Sequence, residues 1–250
     1  MIHYHGSPCT PNAAALQLYR ARHACVSFAR PDQLSLIAEV AQSFILDNGA
    51  FAAWSTGQEL DVEGYAEWAR EWVQHPGFDW LLIPDVIDGT ENDNEGMQSR
   101  WFKIAPDLWK HSVPVWHLHE SIDRLAYMVS AWPRVALGSS GEYADPETPR
   151  WWSRIAEAMS VACDDRGRPK CRLHGLRMLS PTITSHLPLA SADSTNVAAN
   201  IGIDSRWTGA YQPASKGVRA LVLADRIESH ASAARWTGSA GVQRNLDLLG

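Results

Sequence analysis

Three aspartates stand where apolar runs give way to small or turn-forming residues: Asp47 before Asn48-Gly49, Asp85 after Ile83-Pro84, and Asp193 before Ser194-Thr195-Asn196. A buried strand that ends on a carboxylate presents a nucleophile, a proton relay or a hydrogen-bond acceptor. Imidazoles and glycine-rich backbone recur at comparable places. His117 and His119 alternate in Trp116-His117-Leu118-His119-Glu120, so an extended chain turns both to one side. Gly138-Ser139-Ser140-Gly141 offers backbone N–H groups and close approach to a phosphate, a sugar or a base edge. His174 and Arg177 follow in Leu173-His174-Gly175-Leu176-Arg177.

Each piece also has an ordinary reading. Asp47 ahead of Asn-Gly makes an Asx-type turn. Asp193 sits at a strand-to-helix junction, where Ser194, Thr195 or Asn196 caps a helix over 197–201 whose free N–H groups face the carboxylate. Asp85 follows a proline and precedes the β-branched Val86 and Ile87, which does not suit a helix cap. Histidine and carboxylate ligands suit zinc or manganese, so a metal site from His117, His119 and Asp47 or Asp85 stays open at this level. Cys163, Cys171 and His174 lack a fourth ligand at a zinc spacing.

The elements that must position these groups follow from period and punctuation. Short β-rich runs predict strands over 2–5, 24–28, 43–46, 80–84, 113–117, 134–137, 172–176 and 187–190. Amphipathic runs predict helices over 13–22, 33–42, 62–74, 94–109, 122–131, 149–163, 196–201 and 218–235. Eight strands alternating with helices imply an α/β protein, a (β/α)8 TIM-type barrel in a single domain over 1–250. Such a barrel places its site where strands end and loops begin, and six consecutive strand ends here carry acids, imidazoles or glycine-rich backbone.

Composition narrows the class. The chain has 250 residues, 45% hydrophobic and 20% charged, enough for one large core. Its net charge of −6 argues against coating nucleic acid through bulk electrostatics. No run reaches the roughly 18 apolar residues of a membrane span, and Met1 to His5 lack the basic and apolar regions of a signal peptide. A cytoplasmic protein with no membrane partner is expected. The four cysteines match no disulfide framework and are expected as reduced thiols. Among twelve tryptophans, most suit helix packing; Phe51, Trp54, Trp116 and Tyr143 are candidates to stack on a base.

Six motifs in order carry a resemblance: Asp-Asn-Gly-Ala-Phe at 47–51, Pro-Asp-Val-Ile at 84–87, Trp-His-Leu-His-Glu at 116–120, Gly-Ser-Ser-Gly-Glu-Tyr at 138–143, Leu-His-Gly-Leu-Arg-Met at 173–178 and Ser-Ala-Asp-Ser-Thr-Asn at 191–196. Over about 43–200 the chain resembles the tRNA-guanine transglycosylase superfamily, and more closely its DpdA-type DNA branch of phages and genomic islands. Residues 201–250 would then supply closing helices. The resemblance implies a (β/α)8 barrel that exchanges guanine in a polynucleotide for a 7-deazaguanine base. It gives Asp193 the role of nucleophile at the anomeric carbon, Asp47 that of proton transfer, and Asp85 that of reading the guanine edge. His117 or His119 falls where the tRNA enzymes use a glutamine, and Gly138 with its neighbours falls in their base-contacting loop. Phe51, His174 and Arg177 complete the expected substrate-binding set.

One departure concerns the polynucleotide. The tRNA enzymes carry a CxCxxC-plus-histidine zinc module after the nucleophile, and no cysteine follows Cys171 here. The resemblance therefore implies DNA with a flipped guanine and a free base such as 7-cyano-7-deazaguanine as partners, with no cofactor. Three alternatives stay open: an RNA-acting relative, a metal-dependent barrel hydrolase, and a non-catalytic nucleobase-binding barrel.

Overall fold

A computed structural model describes residues 1–202, 204–209 and 211–238. Of the closing segment expected over 201–250, residues 203, 210 and 239–250 lie outside the described residues. In chain order the elements are β1 (Ile2–Gly6), α1 (Asn12–Tyr19), β2 (His23–Ser27), α2 (Leu34–Val40), β3 (Ser43–Asp47), α3 (Ala50–Thr56), α4 (Val62–Trp72), β4 (Phe78–Leu82) and α5 (Glu91–Ile104). They continue with β5 (Ser112–Val113), β6 (Val115–His117), α6 (Ile122–Ala131), β7 (Arg134–Gly138), α7 (Pro149–Ala162), β8 (Arg172–Gly175), α8 (Pro181–Thr184), β9 (Ser191–Ser194), α9 (Asn196–Asn200) and α10 (Lys216–Glu228).

All strand pairs are parallel, in the order β5-β4-β3-β2-β1-β9-β8-β7-β6. The two edge strands are halves of one extended run interrupted at Pro114. Val113 pairs with Leu82 on one side, and Val115 pairs with Ala136 on the other. Proline has no amide to donate, but its carbonyl accepts from Ala136 at 2.9 Å, so the break closes the ring. The result is the expected eight-position α/β barrel.

Alternation along the strands separates two layers of core. Tyr4, Cys25, Ile45, Trp80, Leu82, Val113, Val115 and Ala136 fill the interior. The intervening residues, among them Phe44, Leu46, Leu81, Val135, Leu137 and Leu173, pack outward against the helices. The interior positions one step further toward the strand ends are Asp47, His117, Gly138 and Asp193, so the barrel's own period delivers polar groups to that face. At the opposite rim Asp79 accepts from Tyr4 Oη at 2.6 Å and from Ser43 Oγ, a tie between strands far from the site.

Three sequence expectations need correction. The eighth strand is Ser191–Ser194 rather than 187–190: Pro188 has no amide, Leu187 and Leu189 pack in the outer core, and laddering begins at Ala190, whose amide bonds Leu173. Asp193 therefore lies within a strand, level with Tyr4. Helix α3 was not expected at all. It starts at Gly49, whose φ of 79° suits glycine, and buries only Ala50, so it has no core-facing stripe to read. The last helix is Lys216–Glu228, shorter than 218–235 and capped by Ser215 Oγ.

Candidate active site

Asp47, Asp85 and Asp193 all line one cavity of about 310 Å³ at the C-terminal ends of the strands. That is near the lower end for small-ligand pockets, roughly 300–1,000 Å³. Phe51, His117, Gly138, Ser139 and Arg177 line it too, with Cys25, Asn48, Ile87 and Leu176. Four expected residues do not reach the lining: His119, Ser140, Gly141 and His174.

The three carboxylates are held differently. Asp193 Oδ1 accepts the Arg177 amide at 3.0 Å and lies 3.3 Å from His174 Nε2. Its Oδ2 has no hydrogen-bond partner among the described residues. The expected help from a following helix takes another form: Thr195 begins α9 without a side-chain cap, and Ser194 Oγ accepts the Asn196 amide. The hydrogen bond to Asp193 comes from the loop after β8, while His174 Nε2, on β8 itself, approaches without hydrogen-bond geometry.

Asp47 accepts the Gly49 amide at 3.1 Å. Burial pushes its pKa up to about 6; Asp193 and Asp85 add to the rise, while the Gly49 amide and Ser27 hydroxyl oppose it. Asp85 has both oxygens engaged, Oδ1 by Asn48 Nδ2 at 2.7 Å and Oδ2 by His117 Nε2 at 2.8 Å. Asn48 also bonds the Ile83 carbonyl and the Ala50 amide, so one buried amide ties the loop after β3 to the loop after β4. Sequence reasoning did not single it out; its place in the Asp-Asn-Gly turn was the available signal.

His117 and His119 do share a side, with rings stacked 5.6 Å apart at 20°, but their tasks differ. Burial alone lowers the His117 pKa; the hydrogen bond and charge of Asp85, with Glu120, outweigh it and raise the net value above 6.5. His119 instead bonds Ser140 Oγ at 2.7 Å and the Gly89 carbonyl at 2.8 Å, pinning two rim loops. Gly138 leaves room beneath His117: a Cβ there would sit 3.2 Å from Nδ1, and the ring would have to give by a few tenths of an ångström. Ser139 lines the cavity and accepts from Trp151 Nε1 at 2.8 Å.

Glu120 lies behind the pocket, fully buried. It accepts from the His117 amide, Asn94 Nδ2 and Arg124 Nε at 2.9–3.0 Å, so it braces β6 against α5 and α6. His174 is also behind the cavity wall, fully enclosed, with its ring edge-on to Trp80 at 4.8 Å and Nδ1 on Ser191 Oγ at 2.9 Å. Of the stacking candidates, Trp116 is core and donates to the Ser121 carbonyl. Tyr143 packs beneath Arg150 and Arg154. Phe51 stands at the mouth with the Arg177 guanidinium 3.4 Å above its ring.

All four cysteines are free thiols. No group of three or more histidine, cysteine or acidic side chains is arranged as a metal site among the described residues. Nor is any helix among them long and apolar enough to cross a membrane.

No protein-family model and no curated protein matches the sequence. Among solved structures, a mutant tryptophan synthase alpha-subunit from the hyperthermophile Pyrococcus furiosus is 11% identical over 91% of this chain and 96% of its own, with a TM-score of 0.48. A protein from Aquifex aeolicus VF5 is 11% identical over 91% and 90%, with a TM-score of 0.45. At these values neither likeness bears on what the cavity does.

Proposed function

We propose that the barrel is a base-exchange transglycosylase that replaces guanine in DNA with a 7-deazaguanine through an aspartyl-glycosyl intermediate. The observation that carries this reading is the division of labour among three carboxylates on one cavity. Asp193 has one oxygen held and one free, Asp47 is raised to about 6, and Asp85 is fully tied.

In the first half-reaction Asp193 Oδ2 forms a bond to C1′ as the C1′–N9 bond breaks, through an oxocarbenium-like state. The departing guanine takes a proton at N9 from the Asp47 carboxyl. In the second, the incoming base gives its N9 proton to the Asp47 carboxylate, attacks C1′ and expels Asp193. Asp85 retains lone pairs for the N1–H and exocyclic amino group of guanine, a donor pair adenine lacks. The target nucleotide must be flipped or single-stranded for C1′ to reach the cavity.

A metal hydrolase fits the donor set less well, since His119 uses both ring nitrogens on Ser140 and Gly89 and His117 directs Nε2 to Asp85. DNA is preferred over tRNA because the motifs at 47–51, 84–87, 116–120, 138–143, 173–178 and 191–196 resemble the DNA branch of the superfamily more closely.

The test is incubation with DNA or tRNA and labelled guanine or 7-cyano-7-deazaguanine, followed by nucleoside mass spectrometry. Label is expected in DNA, and none with D193A. Label in tRNA alone overturns the substrate; label retained with D193A overturns the mechanism.

A further inference from the structure

Helix α3 turns its aromatic side chains away from the core. Of its residues only Ala50 is buried, while Phe51 and Trp54 are 42% and 47% exposed. Three residues apart, the two rings share a helix face, with centroids 5.3 Å apart and planes at 46°. Phe51 lines the catalytic cavity and Trp54 does not, so the aromatic pair runs from the cavity outward. The Arg177 guanidinium carbon already lies 3.4 Å above the Phe51 ring centroid, so this face takes a partner in van der Waals contact.

Arg177 is the one lysine or arginine lining the cavity among the described residues. Arg30 faces Asp32, Arg150 is paired with Glu142, and the whole chain is acidic. With so few cations, a strand held here gains much of its affinity from base stacking, which every nucleobase permits. The patch is also too small for a protein partner: two half-exposed side chains fall far short of the roughly 800 Å² per partner of a stable interface.

We infer that Phe51 and Trp54, with Arg177, form a second nucleobase subsite that stacks the base flanking the target in a single-stranded segment. This rests on the transglycosylase reading and narrows its substrate to an unstacked strand rather than a free nucleoside. The ring geometry fits that role. The two ring planes are tilted by 46°, so bases that stay parallel to each other cannot stack on both, and neighbouring bases must part to meet the two rings. A flipped target has already parted from its neighbour.

The experiment is calorimetric titration of wild type, W54A and W54F with deoxyguanosine monophosphate and with a single-stranded trinucleotide holding guanine between two thymines. Wild type should bind the trinucleotide roughly 5- to 100-fold more tightly than the mononucleotide. W54A should bring that ratio close to one, and W54F should keep most of it. Equal binding of both ligands by wild type, or an unchanged ratio in W54A, overturns the subsite alone when labelled-guanine exchange persists. Failure of wild type to bind either ligand overturns the subsite and the transglycosylase reading together. Sedimentation supplies a further arm: a wild-type dimer that W54A dissociates would assign the face to a second copy instead.

Discussion

The main-chain amide of Arg177 donates to Asp193 Oδ1 over 3.0 Å from a left-handed backbone, φ 57°. The residue serves the site through its backbone and covers the mouth through its side chain. A side chain with a Cβ costs on the order of 1 kcal/mol in this conformation relative to glycine. R177G and R177A both lose the contact on Phe51 and both keep the amide. R177G should therefore be more stable than R177A by about 1 kcal/mol in urea unfolding, with aspartyl adduct still formed by each. Equal stability of the two would show that the strain is absent.

Asp47 has a folded-state pKa of about 6, above the ordinary 3.8, because burial and two neighbouring carboxylates disfavour its charge. The folded chain thus keeps a proton that the unfolded chain has released between about pH 4 and 6. Stability from this group is present in acid and lost as pH rises through 6, at most about 3 kcal/mol by pH 7. D47N cannot ionise and should be the more stable protein at pH 7, with the gap closing toward pH 4. In the proposed mechanism single-turnover adduct formation uses the protonated carboxyl, so it should fall above pH 6 in wild type. Parallel pH–stability curves for the two proteins would remove Asp47 from this role.

The barrel and the carboxylate face were legible because inward positions alternate: Ile45 and Asp47, Val115 and His117, Ala136 and Gly138 each step from core to cavity. Where the inward residues are themselves polar, the same rule fails. Ser191 and Asp193 hide a strand whose neighbours Leu187 and Leu189 look more like one. Helix α3 was invisible because its aromatic face looks outward. The bond from Asn48 to Asp85 and the backbone angle at Arg177 depend on loops meeting in three dimensions, which spacing along one chain does not encode.

Asp85 and His117 form a buried pair 2.8 Å apart. Burial pulls the imidazole down, but Asp85 first and Glu120 second reverse this, so His117 titrates above 6.5. Stability from a raised histidine pKa is complete below the unfolded value and lost as pH rises through the folded one. D85N leaves desolvation largely unopposed. The His117 ring resonance in a nuclear magnetic resonance titration should then move to a midpoint below 6.5, and guanine should lose its advantage over adenine in competition. An unmoved midpoint would mean that Asp85 does not set the charge of His117.

His174 is fully buried, and burial pulls its pKa below 6.5 despite the opposing pull of Asp193. A neutral imidazole has one N–H. A carboxylate at Asp193 only accepts, so the proton belongs on Nε2, which comes within 3.3 Å of Oδ1 short of hydrogen-bond geometry, while the Ser191 hydroxyl donates to Nδ1 at 2.9 Å. The Arg177 amide engages Oδ1, which leaves Oδ2 for the attack proposed above. H174F keeps the ring between Trp80 and Tyr4 but removes both polar ties; H174Q restores an N–H donor. Single-turnover adduct formation should slow by about 10- to 100-fold in H174F, the range for a group that orients a reactive one. H174Q should recover most of the rate, with KM for the guanine strand little changed in either. Because the folded state resists protonating His174, wild type should also lose stability as pH falls below 6.5, and H174F should lack that component. A role in packing alone predicts the opposite pattern: altered unfolding, and an adduct rate per folded molecule equal to wild type in H174F.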